Sequence, residues 1–108
     1  MFWGTGSLAS KPKFDLGGWS VVETDRGEHH LVGIDLDNGT GQVSSTIVRF
    51  DASAMRCETV SGRIYTLQET EGIATSNAWY VWEAWCQVND VKHWTDVTAR
   101  YRRGASAT

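Results

Sequence analysis

Residues 77–91, Asn-Ala-Trp-Tyr-Val-Trp-Glu-Ala-Trp-Cys-Gln-Val-Asn-Asp-Val, constrain the fold of this chain more than any other stretch. They read as one helix. On a wheel of about 100° per residue, Glu83, Gln87 and Asp90 share a narrow polar stripe, and Trp79, Val81, Trp82, Ala84, Trp85, Cys86 and Val88 fill most of the remaining circumference. A sheet covers only one side of a helix. Each Trp removes roughly 150–250 Å² from water when buried. At about 25 cal/mol per Å², three of them represent on the order of 10 kcal/mol, comparable with the net stability of a small domain. The rest of the chain, a second copy of it or a ligand must cover them.

The chain has 108 residues, enough for one domain with a real core and too few for two. A single Pro with 11 Gly suits tight turns better than disordered linkers. A formal charge of -3 argues against bulk attraction to nucleic acid or to an anionic membrane, and the basic run Arg100, Arg102 and Arg103 is too short to make a nucleic-acid footprint. Cys57 and Cys86 are far apart and match no C-x-x-C spacing, so they read as small apolar residues, with a strand-to-helix disulfide as the alternative. No stretch reaches the ~18 apolar residues of a membrane span, and no secretory pattern opens the chain. The expected location is the cytoplasm.

Residues 1–17, with Gly4, Gly6, Ser7, Ser10, Pro12 and Gly17, lack periodicity and read as an irregular N-terminal arm. Phe2, Trp3, Leu8, Phe14 and Leu16 favour docking of that arm on its own domain or on a neighbour. From Trp19 the pattern turns to period two, in runs at 19–25, 29–36, 42–50, 56–60 and 63–69. Turns are expected at Arg26-Gly27, Asn38-Gly39 and Ser61-Gly62. A two-residue loop at Ser61-Gly62 puts Cys57, Thr59, Ile64 and Thr66 on one face and Val60, Tyr65 and Leu67 on the other, so that both faces are apolar; a bulge would change that register. Thr75 or Ser76 caps the helix, Asn89-Asp90 ends it, and residues 93–98 return to the body as a short strand.

The segments Thr59-Val60-Ser61-Gly62-Arg63-Ile64-Tyr65-Thr66-Leu67, Tyr80-Val81-Trp82-Glu83-Ala84-Trp85-Cys86 and Asp96-Val97-Thr98 resemble, in order and spacing, a pattern in small uncharacterised bacterial proteins. Some of those are carried on mobile elements such as integron gene cassettes. The likeness covers the second half to two-thirds of the chain and implies no catalytic assignment.

Glu28-His29-His30 is the most reactive-looking cluster, since imidazoles beside a carboxylate can hold a metal or exchange protons near neutral pH. Adjacent strand residues face opposite ways, so His29 and His30 cannot readily share one ion, and a third ligand would have to come from His93 or an acid elsewhere. The plainer reading is an exposed His29 and a half-buried, hydrogen-bonded His30. Residues 35–41 imitate the start of a calcium loop, but counted from Asp35 the sixth-position Gly and twelfth-position acid are replaced by Thr40 and Thr46. No serine or cysteine sits in a nucleophile elbow, and no glycine-rich loop precedes a helix. No cofactor, metal or catalytic residue is assigned.

The expected molecule is an α+β domain over residues 18–103, with a frayed tail at 104–108. Its sheet is five-stranded, antiparallel and strongly twisted or barrel-like, and it packs on one Trp-rich C-terminal helix. Because that helix has more apolar circumference than so small a sheet can hide, a homo-oligomer is expected, a dimer or tetramer. The expected function is a binding or interaction module for a protein or small-molecule ligand, with Trp79, Trp82, Trp85, Tyr65 and His30 as candidate contact residues. The alternative is a small hydrolase or nuclease built on Glu28-His29-His30.

Overall fold

A computed structural model describes residues 12–70 and 72–107, with side chains through Arg102. Most of the segment read as an irregular arm, including Phe2, Trp3 and Leu8, lies outside the described residues. Strands β1 (Lys13–Thr24), β2 (His29–Asp35), β3 (Gly41–Val43), β4 (Ile47–Asp51), β5 (Arg56–Thr59) and β6 (Ile64–Leu67) precede helix α1 (Ser76–Val88); β7 (Trp94–Asp96) and helix α2 (Thr98–Ala107) follow it. The strands form one seven-stranded mixed sheet in the order β3-β2-β1-β6-β5-β4, with β7 also on β1.

This corrects the expectation of five antiparallel strands and one helix, for three local reasons. The first strand starts at Lys13, inside the supposed arm, and its early residues pair in parallel with β6, Lys13 opposite Ile64 and Leu16 opposite Leu67. The run 42–50 is two strands, interrupted at residues 44–46. Past α1 the chain adds β7 antiparallel to the far end of β1, then turns into α2, which continues through residues expected to fray.

A bulge explains how β1 serves so many neighbours. Pairing with β2 shifts between Gly17 and Ser20, and Gly18 has φ +53°. A Cβ there would lie 2.7 Å from Thr75 Cγ2 and 2.8 Å from Ile73 Cγ2, so glycine supplies both the left-handed backbone and room for the loop before α1. The sheet curls until its edge strands β3 and β4 are joined by only three residues. One core gathers Phe14, Leu16, Trp19, Val21, Leu31, Cys57, Tyr65 and Leu67, against which Tyr101 of α2 packs. A second core packs Val22, Val32, Ile34 and Val43 against Ala78, Trp82 and Cys86 of α1.

Much of the aromatic surplus is therefore absorbed within one chain. Trp82 is 0% exposed. Trp85 stacks on it with ring centres 5.2 Å apart, and Trp79 stacks on Trp94 at 5.6 Å. The β5–β6 hairpin is corrected as well: Cys57 pairs with Tyr65 and Glu58 with Ile64, one residue out of the expected register. Cys57, Thr59, Tyr65 and Leu67 are consequently buried, while Val60 in the lengthened turn is exposed. The two thiols lie in different cores and are free, and burial pushes Cys57 up to about 12.

Thr75 opens α1 through its carbonyl, which accepts from the Ala78 and Trp79 amides, and makes no side-chain cap. At the other end Asp90 adopts φ +57°, and the Val91 amide donates back to the Cys86 carbonyl at 2.9 Å, closing a Schellman-type turn. The β1–β2 turn grips this end. Arg26 Nη2 donates to the Asn89 carbonyl at 3.0 Å, a cation at the negative pole of the helix, and Asp25 Oδ2 accepts from the Lys92 and His93 amides.

Candidate functional site

That grip builds one wall of a cleft of about 470 Å³, within the ~300–1,000 Å³ span of small-molecule sites. Its floor is His30 on β2. The β3–β4 connection contributes Ser44 and Ser45, the β5–β6 turn contributes Ser61, and Tyr65 of β6 and Trp85 of α1 add aromatic surface. Arg26, Glu28 and Arg63 complete the charged part of the lining.

The curl of the sheet fixes the imidazole. His30 is 2% exposed, and its Nδ1 lies 2.9 Å from the Ser44 carbonyl, which only accepts, so Nδ1 carries the proton. Ser44 is itself held, accepting from the Leu31 amide and donating to the Ser45 carbonyl. In the neutral ring Nε2 is then a bare lone pair, 3.8 Å from Glu28 Oε1. Burial pushes the His30 pKa below its ordinary value of 6.5. The Ser44 carbonyl and the Glu28 carboxylate pull the other way without overcoming desolvation, so the ring is neutral at pH 7.

Among the described residues, four buried side-chain polar atoms have no hydrogen-bond partner: Trp19 Nε1, His30 Nε2, Gln42 Oε1 and Trp82 Nε1. Of these residues His30 alone lines the cleft. An unmet acceptor in a buried site costs about 1–3 kcal/mol unless something donates to it, which is what a ligand or a held water does.

Of the five candidate contact residues, His30, Tyr65 and Trp85 line this cleft. Trp82 backs it from the core, its ring 6.0 Å from that of His30, and Trp79 stacks away from it on Trp94. Arg26, Ser45, Ser61, Arg63 and Asn89 are contributors that sequence reasoning missed. They come from four separate segments, and no spacing in the chain announces them.

The three imidazoles are not gathered. His29 faces the opposite side of β2, where its Nδ1 meets the Tyr101 hydroxyl at 2.6 Å and its Nε2 the Glu23 carboxylate at 3.1 Å. His93 is exposed, and its amide is held by Asp25. Among the described residues no group of three His, Cys, Asp or Glu side chains is placed to hold a metal ion. No helix among them is long and apolar enough to cross a membrane. In comparisons with known proteins the chain matches no family model, no curated protein and no solved structure.

Proposed function

We propose that this chain is a small binding module that takes a polar small-molecule ligand in the His30 cleft and pairs with a second copy of itself through α1. The observation that carries the first part is His30 Nε2, an acceptor that meets no hydrogen-bond partner among the described residues, on a buried ring that lines an open cleft. A fragment library screened by NMR against the full chain tests it. Binders are expected to shift resonances of His30, Ser45, Ser61 and Trp85 together; a library that leaves these untouched, or shifts only scattered surface residues, would overturn the reading.

Pairing is supported by the outer row of α1, where Tyr80 is 73% and Val88 71% exposed. Ala84 lies midway between them, so the row is self-complementary about that small residue: a two-fold antiparallel contact sets Tyr80 of one copy on Val88 of the other, twice. Light scattering on a sizing column at micromolar concentration is expected to give the dimer mass, and Tyr80→Glu the monomer mass with an unchanged circular dichroism spectrum. A wild-type monomer throughout that concentration range would sink the pairing while leaving the cleft reading intact.

A further inference from the structure

The acceptors and donors of the cleft restrict the chemistry of what fills it, and the restriction rests on reading the cleft as a ligand site. His30 Nε2 accepts and cannot donate while the ring proton is held against Ser44. Glu28 Oε1, 3.8 Å away, is a second acceptor, so two neighbouring donors on one molecule can meet both. Trp85, stacked on Trp82 and with its ring centre 4.6 Å from that of His30, lines the same cleft and brings apolar indole surface to it. At the rim the Ser45 and Ser61 hydroxyls, 3.1 Å apart, can each turn to donate or accept.

Charge argues against simple ions. An amine would find the two acceptors but also the Arg26 and Arg63 guanidiniums that line the cleft. An anion would find the guanidiniums but press its oxygens against a lone pair and a carboxylate. Arg26 and Glu28 already lie 3.7 Å apart and largely cancel each other's field. A neutral molecule with several hydroxyls meets neither conflict.

We propose that the His30 cleft binds a hydroxylated ring of the sugar class, with adjacent hydroxyls donating to His30 Nε2 and Glu28 and the C–H face of the ring lying on Trp85. The site holds about 470 Å³, room for one or two such rings. Its pH dependence has a distinctive sign. Protonating His30 removes the acceptor, so sugar binding weakens on acidification, whereas anion binding would strengthen. Glu28, Arg26 and Arg63 line the cleft with His30, and His29 acts on it through the strand.

The test titrates the full chain with the methyl glycosides of glucose, galactose and mannose and with N-acetylglucosamine, alongside methylammonium and inorganic phosphate, following tryptophan fluorescence. At least one sugar is expected to saturate in the millimolar range and to bind more weakly at low pH. Trp85→Ala and Glu28→Gln are each expected to weaken it tenfold or more. Glu28 is part-exposed, which makes its variant the safeguard if Trp85→Ala fails to fold. Saturation by phosphate or methylammonium, abolished by the same substitutions and with no sugar response, would overturn the sugar class and leave the ligand site standing. A response to none of the probes, or one that both variants leave unchanged, would overturn the sugar class; if the fragment screen is also empty, the ligand site falls with it.

Discussion

His30 and Trp82 sit side by side, both enclosed, each with one ring nitrogen that meets no hydrogen-bond partner among the described residues. Because burial lowers the His30 pKa, the unfolded chain binds a proton that the folded chain resists at pH values below 6.5. The stability from a neutral ring is thus fully present above 6.5 and is lost progressively as pH falls toward the folded value. Urea midpoints measured from about pH 7.5 down to 5 are expected to decline, with a shallower decline in His30→Gln. An identical slope in the two proteins would show that the imidazole does not titrate as its burial requires. Trp82→Ala is expected to cost about 3–5 kcal/mol, read as a fall in the denaturation midpoint, since the indole is 0% exposed and packs on both the sheet and Trp85. Both roles were partly legible in the sequence. Alternation along 29–36 put His30 with Val32 and Ile34, and the density of indoles marked α1 as something to be covered. The unmet Nε2 was not legible, because its isolation depends on the Ser44 carbonyl, supplied by a connection whose path no local pattern sets.

The joints of α1 fix its placement. Gly41 of β3 lies so close beneath the start of the helix that an added Cβ would fall 2.5 Å from the Asn77 carbonyl oxygen and 2.9 Å from Ala78 Cα. These are backbone atoms, which cannot swing aside as a flexible side chain does. Gly41→Ala is therefore expected to lift the helix and cost about 1–3 kcal/mol, seen as a lower melting temperature with a red-shifted tryptophan emission. The opposite sign is expected at Asp90, where a non-glycine residue holds φ +57° in the helix-ending turn. Asp90→Gly relieves that backbone and should gain about 0.5–1 kcal/mol in chemical denaturation. The Lys92 pair lost with it is solvent-exposed and worth little. The helix and its stop at Asn89-Asp90 were readable because periodicity and a helix-ending turn are local signals, whereas the side-chain cap expected of Thr75 or Ser76 is not made at Thr75. The register of the β5–β6 hairpin was not, since it turns on one additional loop residue and a one-residue slip exchanges the two faces.

The order of strands in the sheet was the least legible feature of the molecule. A meander of neighbouring hairpins is the natural reading of five alternating runs. It misses that Lys13 to Leu16, in a stretch rich in turn formers, fill a place beside β6. Only the complete sheet shows that place. The same parallel pairing makes β1 central, flanked by β2 along one edge and by β6 and then β7 along the other. It also governs the order of events during synthesis. The partner of Lys13 is Ile64, about fifty positions later. A ribosome must therefore pass Ile64 to Leu67 before the opening residues of β1 find their seat, and the nascent segment waits meanwhile with a bare strand edge, the state in which a chaperone would have most to offer.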